Sequence, residues 1–377
     1  MTAHYSKTVT AIVFILIAAS GSVRFQTRSS HTQAVDQVPG LNKCWEVSMD
    51  VLPLGPIRSD GKNIYFVADG GVVTAIGGES GTPEWRAELG GKVISNLLIR
   101  NGEILVVTAP SGGPETATLR SISNATGTVN WTAAIHYSKM YFLGDLARGI
   151  GAVGSDGSAH LLRWNDGSII WSRPVTGTIS SAPQFGTEHI LLPLRSGNAL
   201  AISADDGSVV KGYTSAFPAE SLVEIPDRAV VEGDDRGNLI AFAAKSGNRL
   251  WKFKAGARLS FIAAAGSRIV AISADNFVYM LSLERGNVIW KRRLSGRVVG
   301  DPALSVKYLI AAATGESSAF VIDLKNGRFV NQITLPEGSS FVASPVNVTT
   351  DRVAAVTSTG ISLWSFGTCK QTEKATQ

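Results

Sequence analysis

The sequence has few of the residues on which metal and redox centres depend. Its 377 residues include two cysteines and five histidines. The cysteines are not adjacent, and the three histidines beyond the N-terminal region, His136, His160 and His189, do not have the spacing of metal ligands. We therefore interpret these histidines as ordinary surface or strand residues.

Charge is also sparse. Only 17% of the residues are Asp, Glu, Lys or Arg, and the formal net charge is +5. So small an excess of positive charge does not favour nucleic acid as a partner. A low charged content together with 39 glycines is instead typical of a β protein with many tight turns.

The N-terminal apolar run is too short for an ordinary membrane span. It extends from Val9 to Ala19, follows Lys7 and precedes the small residues Ser20 and Gly21, whereas a spanning helix needs about 20 apolar residues. This pattern predicts a signal peptide over residues 1–21 and an exported protein, periplasmic or extracellular, with a disordered spacer over 22–40. A retained membrane anchor is the alternative. No cysteine lies near the cleavage region, so the leader gives no sign of lipid attachment.

The nucleophile elbow of the α/β-hydrolases is missing, since no G-x-S-x-G match occurs. The one G-x-G-x-x-G match, Gly149–Gly154, runs into the turn residues Ser155-Asp156-Gly157. Since a phosphate-binding loop must open a helix, we interpret this match as a coincidence. No segment beyond the leader keeps a 3.6-residue period, so we expect no helix there.

A repeat of about 40 residues organises the rest of the chain. In five copies, a turn glycine is followed four residues later by a tryptophan, as in Gly247 and Trp251, and after Gly207 and Gly327 that position holds Lys211 and Asn331. Successive turn glycines are 46, 40, 40, 40, 39, 41 and 40 residues apart. Short β-rich runs in so regular a period predict a propeller. The glycines are Gly81, Gly127, Gly167, Gly207, Gly247, Gly286, Gly327 and Gly367, and the tryptophans are Trp45, Trp85, Trp131, Trp171, Trp251 and Trp290.

Each repeat divides into four strands, A to D. In the fourth repeat these are predicted over Ile179–Phe185, His189–Leu194, Ala199–Ser203 and Val209–Tyr213. Counting Lys211 and Asn331 as substitutes, the tryptophan position occurs eight times, and its first copy, Trp45, has no strand C before it. The last repeat has strands A to C, over Phe341–Val346, Arg352–Thr357 and Ile361–Phe366, and no strand D.

These two defects complement each other. We predict that Lys43–Met49 supplies strand D of the last blade. The expected fold is therefore an all-β, eight-bladed propeller of four-stranded antiparallel blades over residues 41–369, monomeric, with a flexible tail over 370–377.

The two cysteines lie on either side of this predicted closure. Cys369 is two residues after Gly367 and Cys44 immediately precedes Trp45, positions that are neighbours at the start of strand D in an ordinary repeat. In an exported chain, this placement predicts a disulfide across the seam. Two free buried thiols are the alternative.

The repeat A-x-x-x-x-x-G-x-x-x-W, as in Ala75–Trp85 and Ala241–Trp251, resembles the tryptophan-docking repeat of the PQQ-like β-propellers. That superfamily includes eight-bladed quinoprotein dehydrogenases and non-enzymatic, BamB-like members of the outer-membrane β-barrel assembly machinery. The resemblance extends from about Leu41 to Cys369 and is closest in size to the BamB-like members. It implies an eight-bladed fold and is much less specific for function.

The enzymes of that superfamily bind PQQ with calcium and often carry a vicinal cysteine pair. This chain has no such pair, and about 40 residues per repeat leave little room for the insertions that shape the cofactor site. We therefore expect no cofactor, with PQQ and calcium disfavoured, and no metal.

Two sets of residues are candidates for binding. The first is a basic rim on the predicted strands D of blades five and six, which could receive an acidic protein, an anionic lipid or a polyanionic glycan; solvated edge lysines that prevent strand pairing explain it nearly as well. Its residues are Lys252, Lys254, Arg258, Lys291, Arg292, Arg293 and Arg297. The second set is polar residues of the inner strands that could face an axial channel: Arg58, Asn96, Asp145, Gln184, Glu224 and Asp301.

The sequence thus favours an exported, non-catalytic scaffold that binds other proteins. The alternatives are a PQQ-dependent oxidoreductase of alcohols or sugars, and a propeller that binds glycans.

Overall fold

A computed structural model describes residues 40–110 and 116–369. The predicted signal peptide, nearly all of the predicted spacer and the predicted tail lie outside these residues. The described residues form strands and turns without a helix, so no helix among them is long and apolar enough to cross a membrane.

Eight antiparallel sheets, one per repeat, confirm the predicted propeller. The strands of blades one and two are Arg58–Ser59, Asn63–Ala68, Val72–Gly77 and Pro83–Glu88, then Lys92–Val93 with Leu98–Arg100, Glu103–Ala109, Thr116–Ser123 and Val129–His136. Those of blades three and four are Tyr141–Leu146, Gly149–Gly154, Ser158–Leu162 and Ile169–Pro174, then Gln184–Phe185, His189–Pro193, Asn198–Ser203 and Val209–Thr214.

The second half of the ring repeats the pattern. The strands of blades five and six are Ala219–Ile225, Ala229–Asp234, Asn238–Ala243 and Arg249–Lys254, then Leu259–Ala265, Arg268–Ser273, Phe277–Ser282 and Val288–Arg293. Those of blades seven and eight are Ala303–Leu304, Tyr308–Ala312, Ser318–Asp323 and Phe329–Thr334, then Val346–Asn347, Arg352–Thr357, Gly360–Ser365 and, from the N-terminal side of the ring, Asn42–Ser48.

The last blade closes the ring as predicted. Asn42–Ser48 pairs antiparallel with Gly360–Ser365, with Trp45 opposite Leu363. The first and last described segments therefore share one sheet, and blade eight has no missing strand.

The predicted length of some inner strands is wrong. Strand A of blade four is Gln184–Phe185 with an isolated bridge from Ile179 to Leu194, and strand A of blade eight is Val346–Asn347 with a bridge from Phe341 to Thr357. A proline, Pro183 or Pro345, interrupts each predicted strand. Since proline has no N–H to donate, the ladder breaks there.

The same explanation holds for blades one and seven, whereas the inner strand of blade two is divided into Lys92–Val93 and Leu98–Arg100 without a proline. Blades one and seven carry Pro56 and Pro302 in the corresponding stretch and also have two-residue A strands. Blades three, five and six have no proline inside strand A, and those strands are six or seven residues long.

The repeat residues join neighbouring blades. The indole N–H of Trp251 donates a hydrogen bond of 2.7 Å to the carbonyl of Leu283, in the next blade. Its ring lies against Gly286, where a Cβ would come within 2.5 Å of the ring. The indoles of Trp45, Trp85, Trp131, Trp171 and Trp290 bond in the same way to the carbonyls of Gly78, Asn124, Trp164, Ala204 and Leu324.

The glycine is required for two reasons. Gly286 has φ +67°, a left-handed conformation that glycine adopts without steric cost, and it leaves space for the preceding blade's tryptophan. The pairing between strands C and D slips by one residue just before each tryptophan of strand D. In blade five, Ala241 is opposite Trp251 and Phe242 is opposite Arg249, so Leu250 has no opposite residue. This bulge, with a left-handed glycine in the turn, directs the indole toward the following blade.

Each interface between blades encloses a buried hydrophobic cluster. Between blades five and six, for example, Val231, Leu239 and Trp251 pack with Leu259 and Ile269. The cluster between blades four and five contains no tryptophan, because Lys211 occupies that position. The core of the protein is therefore a ring of interfaces.

Removing an indole should cost more than removing its substitute. We expect Trp251→Ala to lower the free energy of unfolding by about 3–5 kcal/mol, the usual cost of a large buried aromatic. Lys211→Ala, at the same position in blade four, should cost clearly less, because it removes two hydrogen bonds and a flexible stem but no large buried ring. Urea unfolding of both variants measures this, and equal losses would contradict the role assigned to the indole.

The structure brings Cys44 and Cys369 together, with Cα atoms 5.2 Å apart and sulfur atoms at bonding distance. The two residues are 325 positions apart in the sequence, so a bond between them would close a very long loop in the unfolded chain. That disulfide stays a prediction.

We expect the double variant Cys44→Ser and Cys369→Ser to lose up to about 5 kcal/mol of stability in chemical unfolding, the chain-entropy figure for so long a loop. Peptide mapping without reducing agent should recover the linked pair from the native protein. If both thiols of that protein react with an alkylating agent, the predicted disulfide is wrong.

Candidate binding surfaces

Three of the six predicted channel residues join neighbouring blades. The side-chain amide of Asn96 accepts a hydrogen bond from the N–H of Leu143 at 2.7 Å and donates one to its carbonyl at 3.0 Å. Asp145, in blade three, pairs with Arg100 of blade two at 2.5 Å. Glu224, in blade five, lies 2.7 Å from the imidazole Nε2 of His189 in blade four.

Strand geometry accounts for this placement. Side chains of a β-strand project from the faces of its sheet, and the faces of propeller blades are turned toward their neighbours. A polar residue on an inner strand therefore reaches the adjacent blade before the axis. Ligand binding by these residues stays a prediction.

The other three channel candidates make fewer contacts. Arg58 is exposed, and Gln184 is half-buried on the short inner strand of blade four. Asp301 is exposed by surface area, but nearby protein partly desolvates its carboxyl and raises its pKa, and the charge of Arg58 opposes this rise. Arg58 and Asp301 are thus electrostatically coupled between blade one and the loop before strand A of blade seven.

The interface between blades four and five has polar side chains where most of the other interfaces have a tryptophan. Lys211 replaces the tryptophan: its ammonium group donates to the carbonyls of Ala244, at 2.7 Å, and of Lys245. Its aliphatic stem lies near Gly247, and the hydroxyl of Tyr213 also donates to Ala244, at 3.1 Å. An amine on a flexible chain thus makes the hydrogen bond that an indole makes at most of the other interfaces.

Two ionisable groups are buried or half-buried at this interface. Glu232 is 3% exposed, and its Oε1 has no hydrogen-bond partner among the described residues. Burial raises the pKa of Glu232 to about 7, with Ser215 opposing the shift. The hydrogen bond to Glu224 raises the pKa of His189 above its usual value. Sequence reasoning missed Glu232, because it is followed by Gly233 and Asp234 at the end of a short apolar run, where an exposed turn is the usual interpretation.

A shallow cleft of about 430 Å³ lies beside strands C and D of blade three. His136, Asp156, His160 and Arg173 contribute to it. Nε2 of His136 is 4.0 Å from Asp156. His160 is 3% exposed, neither ring nitrogen has a partner among the described residues, and burial lowers its pKa. Since both nitrogens are shielded from solvent, His160 contributes little to what the cleft could bind.

The residues of the predicted basic rim lie on or beside strands D of blades five and six. All are exposed except Arg292, which is half-buried and donates to the carbonyl of Gly327 in blade seven. Arg258 lies 3.7 Å from Glu220, Lys254 donates to the carbonyl of Arg236, and Lys291 lies over the ring of Phe277. The rim thus spans several interblade grooves.

The described residues do not fit a calcium–quinone site. They contain no group of three or more His, Cys, Asp or Glu side chains arranged to hold a metal ion, and both cysteines lie at the seam. The expectation that the chain binds no PQQ stays a prediction.

Comparison with known proteins places these features in context. The family model of the outer membrane protein assembly factor BamB matches residues 28–182 and 235–368. A curated relative, outer membrane protein assembly factor BamB of Yersinia pestis, is 23% identical over 300 residues, which cover 78% of this chain and 66% of that protein. The chain thus spans just under two thirds of that relative's length.

Solved structures show the same fold at low sequence identity. BamB from Moraxella catarrhalis superposes with a TM-score of 0.67 at 14% identity, covering 86% of this chain and 97% of that one. The computationally designed protein Ika8 superposes with a TM-score of 0.72 at 13% identity, covering 86% and 99%. The stretch 183–234, between the two matched segments of the family model, contains His189, Lys211, Glu224 and Glu232. The polar interface therefore coincides with the part that the family model leaves out.

The buried carboxyl predicts a pH-dependent stability. Because the folded-state pKa of Glu232, about 7, exceeds its ordinary value of 4.5, the folded protein binds a proton that the unfolded chain has released, and stability falls as pH rises through this window. At about pH 8, Glu232→Gln should raise the free energy of unfolding by up to about 3 kcal/mol, and at about pH 5 by much less.

Urea unfolding at both pH values measures the effect. Glu337→Gln, which changes an exposed carboxylate in the loop before blade eight, is the matched control and should change little at either pH. An equal effect of Glu232→Gln at the two pH values would contradict the assigned pKa.

Proposed function

The chain belongs to the family of the outer membrane protein assembly factor BamB, and from this membership we propose that it is a non-catalytic scaffold for protein assembly in the bacterial cell envelope. The observation that carries the proposal is the match of the family model to residues 28–182 and 235–368. The partner class is protein, as the printed name of the Yersinia relative suggests for that protein.

The physical character of the ring supports a scaffold. Its repeat residues are used in joining blades, as in the bond from Trp251 to Leu283, and three of the six polar candidates on or near the inner strands are used in the same way. What remains for other molecules is the outer surface, with eight exposed strands D and the turns at both ends of the blades. A rigid ring of this kind presents several separate binding surfaces at fixed distances.

Export is part of the proposal. An envelope scaffold must cross the inner membrane, and the leader predicted over residues 1–21 would direct it there. An oxidising compartment also suits the predicted pair Cys44 and Cys369.

Fractionation of the native host and affinity purification test the proposal together. The tagged full-length chain should be found in the envelope fraction and should co-purify with outer-membrane assembly proteins. A variant without residues 2–21 is the control, and it should remain in the cytoplasm and lose these partners.

Two results would contradict the proposed function. One is a full-length chain found only in the cytoplasm. The other is a quinone absorbance, or dye-linked oxidation of alcohols or sugars, when the purified protein is supplied with PQQ and calcium.

A further inference from the structure

Strand D is the free edge of every blade. It is the terminal strand in the order of each sheet, so one side of its backbone has no partner strand. In an antiparallel ladder, every second residue of an edge strand directs its N–H and C=O away from the sheet. Such an edge can accept a further strand from another chain.

The register identifies which residues have outward backbone groups. In blade five, Lys254 is opposite Asn238, and the N–H of the next residue, Ala255, donates to the carbonyl of Gly237 at 2.8 Å. Bonded pairs alternate with unbonded ones, so Lys252 and Lys254 have their backbone groups at the open edge.

Blade six repeats this arrangement. Arg293 is opposite Phe277, and the N–H of Leu294 donates to the carbonyl of Asn276 at 2.8 Å. Lys291 and Arg293 therefore have outward backbone groups. In both blades these are the first and third residues after the tryptophan, and all four side chains are exposed.

No other blade has two cations at these positions. Among the eight described D strands, the corresponding pairs elsewhere are Arg86/Glu88, Thr132/Ala134, Ser172/Pro174, Gly212/Thr214, Gln332/Thr334 and Glu46/Ser48. In the two basic blades the residue before the tryptophan is apolar and exposed, Leu250 to 50% and Ile289 to 47%. It offers an apolar contact to a strand that adds at the edge.

The surrounding sequence strengthens the local charge. Residues 245–297 contain eleven Lys and Arg against two Asp and Glu, although the whole chain has a net charge of only +5. The remaining residues therefore have more acidic than basic side chains, and the positive sector consists of strand D of blade five together with blade six.

We propose that the free strand D edges of blades five and six bind an extended acidic peptide segment of a partner protein, which adds as a fifth strand and places acidic residues at alternate positions opposite Lys252/Lys254 or Lys291/Arg293. The edge supplies backbone hydrogen bonds, and the paired cations select the charge. Like-charged strands are repelled by the same lysines, which keeps copies of these edges apart. The inference rests on the proposed scaffold function and names the chemistry of one of its partners.

A peptide is favoured over a lipid surface or a glycan because of the edge itself. Anionic headgroups and sulfated or carboxylated sugars could neutralise the cations, but neither presents the regular alternation of N–H and C=O groups that a strand edge satisfies. The apolar residues Leu250 and Ile289 likewise suit alternating side chains of a strand.

The test uses purified full-length ring protein and a fluorescent, end-blocked peptide of about eight residues, the length of a strand, with Glu at every second position and Val or Thr between. Its binding is measured by anisotropy. An isomer with the same residues but with the Glu grouped at one end should bind about tenfold more weakly, because only alternating carboxylates face the paired cations. A version N-methylated at the amides that face the protein should not bind detectably.

Charge reversal locates the site. The variant K252E/K254E/K291E/R293E should lose binding of the Glu peptide and gain binding of a matching peptide with Lys at the alternate positions. The control makes the same change in net charge at exposed lysines in turns and loops, and should bind like the wild type: K62E/K139E/K307E/K325E.

Hydrogen exchange of backbone amides distinguishes the addition of a strand from binding by charge alone, since only an added strand bonds to those amides. The amides of Lys252, Lys254, Lys291 and Arg293 should exchange quickly in the free protein and become protected when the Glu peptide is added.

Three results would overturn the proposal: equal binding of the two peptide isomers, undiminished binding of the N-methylated peptide, or no new amide protection at saturation. Binding of phosphatidylglycerol vesicles or a polyanionic glycan through the same four cations, without binding of the Glu peptide, would also overturn it. Because the experiment uses the purified chain, each of these results is distinguishable from a failure of the envelope fractionation.

Discussion

The hydrogen bond from an indole N–H to a carbonyl of the next blade is the interaction on which the ring depends. It fixes the distance and rotation between neighbouring sheets at one point, as Trp251 does with Leu283, while the hydrophobic cluster behind it supplies the burial energy. The glycine of the following turn makes room for the ring. Six of the eight blades therefore offer a tryptophan to the next blade, which provides the glycine that makes room for it, so a blade depends on its neighbours for stability.

The sequence was sufficient to predict this architecture because the period is a property of the whole chain. Glycine and tryptophan recur at fixed spacing, and the incomplete first and last repeats complement each other, so the closure by Asn42–Ser48 followed. The lengths of the inner strands were predicted less well. Pro183 and Pro345 break the ladder at single residues, an effect that a pattern of alternating apolar residues does not reveal.

The candidate binding surfaces were harder to predict, for a geometric reason. Which way a side chain faces depends on strand register, and a shift of one residue reverses it. Asn96, Asp145 and Glu224 were expected at the axis, yet they contact the neighbouring blade. The buried Glu232 lies in blade five and Lys211, which replaces the tryptophan, lies in blade four, and only the assembled ring shows that they share an interface.

Closure by the N-terminal strand has a consequence for how the protein is made. Chains emerge from the ribosome and from export channels with the N-terminus first, so Asn42–Ser48 is available long before Gly360–Ser365, its partner strand. Until the end of synthesis the nascent array has an unpaired strand at one end and an open blade at the other. Contacts so distant in sequence form slowly. Between the synthesis of Asn42–Ser48 and its pairing with Gly360–Ser365, the unfinished ring has open strand edges that can aggregate or bind chaperones.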